Sequence, residues 1–400
     1  MKLYLYALKM LRATKVRIYP TQEQSEFLVA QFGAVRFAYN KALHIKTHMY
    51  RRHGVSLSPK KDLKPLLAIG KKSRRYSWLK QYDSIALQQS VIQLHTAFDN
   101  FFNPKLKARY PKFKRRFDKQ SSYHCVGVKV LDEAIKLPKI KEPVKANIHR
   151  CITGEVKSIT VSLSKSGKFY ASILVDDNVD TPSKTSTITT LIGIDLGLSH
   201  YAIQSSGNKI ENPRFVKRAE NNLRRKQRQL SRKKIGSANR AKARLLVAKC
   251  HEKTVNARAD FQHKLSRTLI DENQAVIVET LKSANMMKNR RLAKHIADAS
   301  WHAFIVKLEY KAKEQGKHIV KLDQWYASSK TCHGCGYKVE TMSLSVRKWD
   351  CPSCGMADID RDINAALNIR DKGILDLKAA GHVVTACGGL RKSRHERVAA

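Results

Sequence analysis

Apolar and polar positions along this chain change rhythm three times. TKVRIY (14–19) alternates with period two, as a half-buried strand does. Pro20 and Thr21 then open TQEQ, where Thr21 and Gln24 stand at the spacing of a capping box, the signature of a helix start. From there to about residue 100, apolar residues recur at helical spacing: Phe27, Leu28, Phe32, Phe37 and Leu43, then Ile85, Leu87, Val91, Leu94 and Phe98. Breaks in this helical block are expected at Gly33, at SLSP (56–59) and at Asp83-Ser84.

Period two returns after residue 111. SITVSLS (158–164) and KFYASILV (168–175), joined by KSG, read as a β-hairpin, and the whole stretch to about 180 reads as a small barrel completed by the strand at 14–19. The polar connector TPSKTSTITT follows. LIGIDLGLSHYAIQSSGNKI then predicts two strands joined at Gly197–Ser199, and AVIVE (275–279) predicts a buried strand ending on an acid. A helix from about Ile296 to Gln315 and the strand KHIVKLD complete an alternation that points to an α/β fold in this half. At 400 residues, two or three domains are expected.

Charge narrows the partner. Seventy-seven Lys and Arg against 33 Asp and Glu leave a net charge of +44, which suits a polyanion whose counterions are released on binding. An anionic membrane surface would favour one amphipathic helix over charge spread along the whole chain. No apolar run is long enough to span a bilayer, and LYLYAL is too short for a signal-peptide core, so a soluble cytoplasmic protein associated with the nucleoid is expected. Two segments concentrate the charge. In ARYPKFKRRF, Lys112, Lys114, Arg115 and Arg116 interleave with Tyr110, Phe113 and Phe117, a pattern suited to a phosphate backbone with stacking rings, or to a basic loop whose aromatics anchor it to a core. The helical run from Arg214 to Arg258, densest around Arg224, Arg225 and Lys226, has almost no acids for i,i+4 pairing, which favours a bound polyanion over a solvated face.

Cysteine spacing gives a sharper signal. Cys332 and Cys335, then Cys351 and Cys354, form two CxxC knuckles fifteen residues apart, and Gly334, Gly336 and Gly355 permit the tight folding such turns need. Two disulfides would require an oxidising compartment, and a redox pair would need only one CxxC, so structural zinc is the expectation. His333 between the ligands is at most a spare. Cys125, Cys151, Cys250 and Cys387 lack partners at metal spacing. Four thiolates leave no open coordination position, so chemistry must lie elsewhere.

Three carboxylates stand in unusual places. Asp195 interrupts the apolar strand LIGIDLG, Glu279 ends AVIVE, and DIDRD (358–362) precedes the Ala-rich run NAALNIR. Brought together, they would repel one another and suit Mg²⁺ or Mn²⁺, which favour oxygen ligands and promote phosphodiester hydrolysis. Each acid also has an ordinary role open to it: Asp195 bonding turn amides, Glu279 beside a lysine, Asp362 as a helix N-cap.

GIDLG (193–197), VIVETL with NMM downstream (276–287), the paired knuckles and DRDINAALNI (360–369), together with IYPTQEQ and FGAVRFAYNKAL near the start, resemble in order and spacing the OrfB/TnpB family of insertion-sequence proteins. The resemblance runs from about residue 13 to 370. It implies a multidomain α+β and α/β chain: a wedge-like β-barrel (1–20 and 111–185), a helical recognition insert (21–110), a RuvC-like nuclease domain of the ribonuclease H fold (186–330 and 356–372), a zinc-binding insertion (331–355) and a flexible tail (373–400). It implies an RNA-guided, Mg²⁺-dependent DNA endonuclease with guide RNA from the element's end and double-stranded target DNA as partners. Asp195, Glu279 and Asp362 match the catalytic acids, and the four cysteines the zinc ligands. Many relatives carry His before DRD, where this chain has Ile359. Strand transfer by the same centre, or a zinc protein that binds nucleic acid and regulates transposition without cutting, are the alternatives; no HxH motif accompanies a tyrosine as single-strand transposition would need.

Overall fold

The first helix begins at its capping box. Thr21 Oγ1 accepts from the Gln24 N–H at 3.3 Å, Gln24 Oε1 accepts from the Thr21 N–H at 3.1 Å, and α1 (Gln22–His53) follows. In this computed structural model, which describes residues 9–116, 121–343 and 345–385, the chain divides into two units, Met1–Asp180 and Thr181–Ala400. Phe117, Cys387 and residues 386–400 lie outside the described residues, whereas residues 373–379 of the tail expected at 373–400 belong to a packed helix that buries Gly373, Ile374 and Leu377.

The expected break at Gly33 does not occur. A helical glycine costs only about 1 kcal/mol, and buried Leu28, Phe32, Ala34 and Val35 on both sides hold α1 straight against the core. The other two breaks fall where expected: Ser58 caps a π-helical turn (Pro59–Leu63) that leads into α2 (Lys64–Gly70), and Asp83 Oδ1 accepts from the Ile85 N–H at 2.9 Å to start α3 (Ser84–Phe102).

Among the described residues, seven strands complete the first unit: β1 (Lys9–Tyr19), β2 (Ser121–Cys125), β3 (Lys129–Val130), β4 (Ala134–Lys136), β5 (Val144–Asn147), β6 (Glu155–Leu163) and β7 (Phe169–Asp180). They pair antiparallel in the order β2-β6-β7-β1-β5-β4-β3, so the first strand of the chain sits at the sheet's centre. Their alternating inner residues, such as Val16, Ile18, Val161 and Ile173, pack with Leu28, Phe32, Val35 and Leu87 of the helices in one core.

In the second unit the strands are β8 (Thr187–Ile188), β9 (Leu191–Asp195), β10 (His200–Gln204), β11 (Lys209–Glu211), β12 (Ala275–Glu279), β13 (His318–Leu322), β14 (Lys348–Trp349), β15 (Ile359–Asp360) and β16 (Val383–Val384). The helices are α4 (Phe215–Ser231), α5 (Ala238–Glu272), α6 (Ser283–Met286), α7 (Ala293–Ala299), α8 (Trp301–Glu314) and α9 (Arg361–Ala379). A five-stranded sheet runs β11-β10-β9-β12-β13, with β9, β12 and β13 parallel and the β9-β10-β11 meander antiparallel. Alternation assigns its faces: Ile192, Ile194, Val276 and Val278 pack with α5 and α8, whereas Ile277 packs with Ile369 of α9.

The helix expected from Ile296 to Gln315 is two helices. Ser300 adopts φ +52° between α7 and α8. Carbonyls at the break are not orphaned, because Gln262 Nε2 donates to the oxygens of Ala299 (3.1 Å) and Ser300 (3.2 Å), and the Tyr201 hydroxyl donates to Ala299 (3.2 Å). That buried polar contact is long-range and invisible to periodicity.

Candidate active site and metal centre

Asp195 and Glu279 are the last residues of adjacent parallel strands. Pairing of Ile194 with Val278 places the two acids side by side, one step on, at the carboxyl ends of β9 and β12. Strand alternation then puts Asp195 on the face of Gly193, and Glu279 on that of Ile277. That is the face α9 covers. The approach is very close: a Cβ on Gly193 would lie 2.4 Å from the Ala366 carbonyl oxygen and 2.5 Å from the Arg370 nitrogen, and one on Gly373 would lie 2.3 Å from Ile277. Glycine at these two points lets α9 lie directly on the sheet, and its first turn carries Asp362.

The acids sense one another. Their carboxyls share a hydrogen bond, and the Leu196 N–H serves both. Burial, reinforced by the charge of Asp362, pushes the Asp195 carboxyl up to about 6. Burial beside Asp195 raises Glu279 well above the usual carboxylate range. Two carboxyls that oppose each other's ionisation at adjacent strand ends suit a hard divalent cation better than a donor set with nitrogen or sulfur would.

The three aspartates of DIDRD have separate jobs. Asp360 is the N-cap of α9: its Oδ1 accepts from the Asp362 and Ile363 N–H groups at 3.0 Å each, and its Oδ2 pairs with Lys209. The cap role considered for Asp362 therefore belongs to Asp360, because the helix starts one residue after it. Asp362 is left near enough to Asp195 for its charge to raise that carboxyl, with Arg347 at 3.8 Å. Asp358 is exposed and pairs with Lys348 at 2.8 Å.

The two CxxC turns are built alike. In each, the first cysteine's N–H donates to the carbonyl five residues on (Cys332 to Tyr337 and Cys351 to Met356, both 2.8 Å), and its carbonyl accepts from Gly336 (2.9 Å) or Gly355 (3.0 Å). Both glycines hold a left-handed φ, +81° and +71°. The sulfurs of Cys332 and Cys354 are 3.8 Å apart and those of Cys335 and Cys351 3.6 Å, with all four within 4.8 Å. Zinc–sulfur bonds of about 2.3 Å at the tetrahedral angle span about 3.8 Å, so the quartet fits Zn²⁺. Among the described residues it is the one group of three or more such side chains gathered so tightly. Ile359 packs against Cys332 and Cys351.

Periodicity missed how this module is fastened. Asn364 and Asn368, one turn apart on α9, are almost wholly buried (3% and 0% exposed). Asn364 Oδ1 accepts from the His333 N–H at 2.8 Å, and its Nδ2 donates to the Thr331 carbonyl at 2.7 Å. Asn368 Nδ2 donates to the carbonyls of Ser328 (2.8 Å) and Thr331 (2.7 Å). His333 turns away from the sulfurs toward Asp371 at 2.7 Å. The signal available in the sequence was two asparagines at i,i+4 within an apolar run, which is poor helix chemistry unless the amides are occupied.

The basic residues divide. Lys114 lies 4.0 Å above the Tyr39 ring and 3.3 Å from Gln93 Oε1; Asn40 holds its backbone, and burial lowers its pKa. Tyr110 packs edge-on against Phe98 and Phe101. The anchoring role thus describes Lys114 and Tyr110, whereas Lys112, Phe113 and Arg115 are exposed. On α4, Arg224 does have an i,i+4 partner, Glu220 at 3.0 Å, which also meets Lys294 at 2.6 Å. Arg225 is exposed and Lys226 half-buried.

A folded α/β unit with paired acids and a four-cysteine module has known counterparts. The family model OrfB_IS605, "Probable transposase", matches residues 172–290; "Cas12f1-like, TNB domain" matches 301–369; "Helix-turn-helix domain" matches 10–54, which here form β1 and an uninterrupted α1. The chain is 38% identical over 388 residues to a protein of Streptomyces pristinaespiralis, covering 96% of this chain and 92% of that one. It is 31% identical over 403 residues to InsQ of Escherichia coli K12, covering 96% of each. Both carry the description "Putative RNA-guided DNA endonuclease". In fold it is similar to a chain of the solved Cas12f1–sgRNA–target DNA complex, with TM-score 0.55 at 14% identity over 90% of this chain and 98% of that one. The chain belongs to the OrfB/TnpB family of IS605-type insertion-sequence proteins.

Proposed function

We propose that this chain is an RNA-guided DNA endonuclease of a transposable element, hydrolysing phosphodiesters in a RuvC-like centre. One observation carries the reading: Asp195 and Glu279 stand together at adjacent parallel strand ends, beneath the helix turn that bears Asp362. The strand order β11-β10-β9-β12-β13, three antiparallel and then parallel, supports a ribonuclease H fold. The relatives' descriptions support guide RNA and double-stranded DNA as partners, and the net charge of +44 supports a nucleic-acid ligand of either kind. No described helix is long and apolar enough to cross a membrane, in keeping with action on DNA.

Asp195, Glu279 and Asp362 would hold Mg²⁺ or Mn²⁺, which when bound makes water acidic enough to attack phosphorus and stabilises charge on the leaving oxygen. The chain's own share is placement. The Leu196 N–H fixes the Asp195 and Glu279 carboxyls, Asp360 caps the helix that aims Asp362, and the zinc module braces that helix. We assign the first unit's sheet to a wedge-like barrel with a helical recognition insert at 21–110, and the exposed cations Lys112, Arg115 and Arg225, with Arg224 and Lys226, to contacts along the nucleic-acid backbone.

The decisive experiment purifies the chain with RNA expressed from its own locus, sequences that RNA, and incubates the complex with a randomised target library and Mg²⁺. Guide-matched, Mg²⁺-dependent cuts are expected; no cleavage under any divalent cation overturns the reading. The family model's description as a transposase favours a second reading, strand transfer by the same acids, which joined DNA products would reveal.

A further inference from the structure

The turn that leaves β9 just after Asp195 opens onto a cavity of about 240 Å³ lined by Leu198, Ser199, Arg214, Leu292 and His295, with Asn212 and Asp298 at its base. Asn212 and Arg214 also line an adjoining cavity of about 490 Å³, where the other cations are Lys217 and Arg218. One compartment thus offers two leucines and an imidazole, with the paired carboxylate of Asp298 and the cation of Arg214 beside them. The other offers three cations and a single acid, Glu211, which faces His200 at 3.5 Å.

The walls are built in advance. Asn212 Nδ2 donates to the Leu198 carbonyl at 2.9 Å, and its Oδ1 accepts from the Arg214 N–H at 3.2 Å. Asp298 Oδ2 accepts from the Val216 N–H at 2.9 Å while Oδ1 pairs with Arg258 at 2.8 Å. Arg214, shared by both compartments, is held at φ +48°, a left-handed conformation that costs a non-glycine residue about 1–2 kcal/mol. Such strain persists where the surroundings over-determine it, commonly at ligand sites. Arg347 links the place to the acids, lying 3.5 Å from Ser199 Oγ and 3.8 Å from Asp362.

We propose that these joined cavities hold one unstacked nucleotide of the strand being cut, with its base between Leu198, Leu292 and His295 and its phosphate against Arg214, Lys217 and Arg218. The assignment rests on the nuclease reading. An apolar slot beside a cationic one matches the two chemistries of a nucleotide, and only an unpaired, unstacked base can enter a slot of this size. Seating the neighbour would fix the register of the phosphate over Asp195 and Glu279.

The test uses the full chain and single-stranded DNA carrying 2-aminopurine at successive positions, with Ca²⁺ in place of Mg²⁺ to hold the strand uncut. One position is expected to change its emission at least about twofold on saturation, as burial in an apolar slot does to an unstacked base. Leu292→Phe, which fills the slot, should abolish that change. The double variant Lys217→Ala/Arg218→Ala should weaken binding and lower the salt slope on single-stranded DNA by up to about 1.4. Leu292, Lys217 and Arg218 are all exposed, and circular dichroism melts of the variants confirm that they fold. Equal emission at every position, or a positional change that survives Leu292→Phe, overturns the pocket. Cutting in Mg²⁺ with a flat profile overturns the pocket alone. A positional signal from a chain that never cuts overturns the nuclease reading, and with it the identity of the bound strand.

Discussion

The cysteine quartet is joined through β15 and the first turn of α9 to only one of the three candidate acids, Asp362, and the two groups are built on different principles. Each cysteine pair is made by its own five-residue turn, and the two turns repeat one hydrogen-bond pattern. The sulfurs already stand at zinc distances. The carboxylates come from three segments spread over 168 positions of the chain, two of them strand ends and the third a helix start. Burial and mutual charge oppose the ionisation of Asp195 and Glu279. A closed site is shaped by local chain; an open, reactive one is shaped by topology and left under electrostatic tension.

That contrast can be broken in order of effect. Asp195→Ala should reduce cleavage by at least about 10³-fold while RNA binding, measured by filter retention, stays within error; retained cleavage removes Asp195 from the centre. Asp362→Ala should match it, whereas Asp360→Ala should still cut and lose about 1 kcal/mol of stability as an N-cap deletion. If the quartet holds zinc, Cys351→Ala should cost several kcal/mol together with stoichiometric loss of zinc by metal analysis. Because the module braces α9, cleavage should fall as well. If zinc is lost and cutting is untouched, the two sites are independent.

Asn368→Ala tests the brace without touching either metal. It strips a donor from the buried Ser328 and Thr331 carbonyls and should cost about 1–3 kcal/mol in thermal melts. The smallest effect is a pH dependence. With Asp195 raised to about 6 and Glu279 raised well above the usual carboxylate range, the folded chain without divalent cations binds more protons than the unfolded one, whose carboxyls titrate near about 4. Stability contributed by these groups is therefore greatest at low pH and declines as pH rises through that window. Mg²⁺ binds the ionised acids and should restore it, so the rise in Tm on adding Mg²⁺ should be larger at about pH 7 than at about pH 5. An equal rise at both would mean the acids do not titrate with the cation.

Sequence periodicity located the strands around Asp195 and Glu279 and the helix start at Thr21, because those elements bury their own apolar faces. It failed at Gly33, where core contacts on either side outweigh a local propensity, and at Ser300, where Tyr201 and Gln262 satisfy a break from far along the chain. Nor did it separate Asp360 from Asp362: the cap position depends on where the helix begins, and that is set by β15 pairing with β14.

By itself the sequence determined the positive charge that suits a polyanion, the four sulfurs and the set of candidate acids, since charge and turn spacing act within a few residues. Only the tertiary structure decided that β9 and β12 are parallel neighbours, that glycine at 193 and 373 lets α9 lie on them, and that two asparagines lock the cysteine module to that helix. Those relations join residues far apart in the chain, and their energies arise from burial and close packing that no local pattern contains.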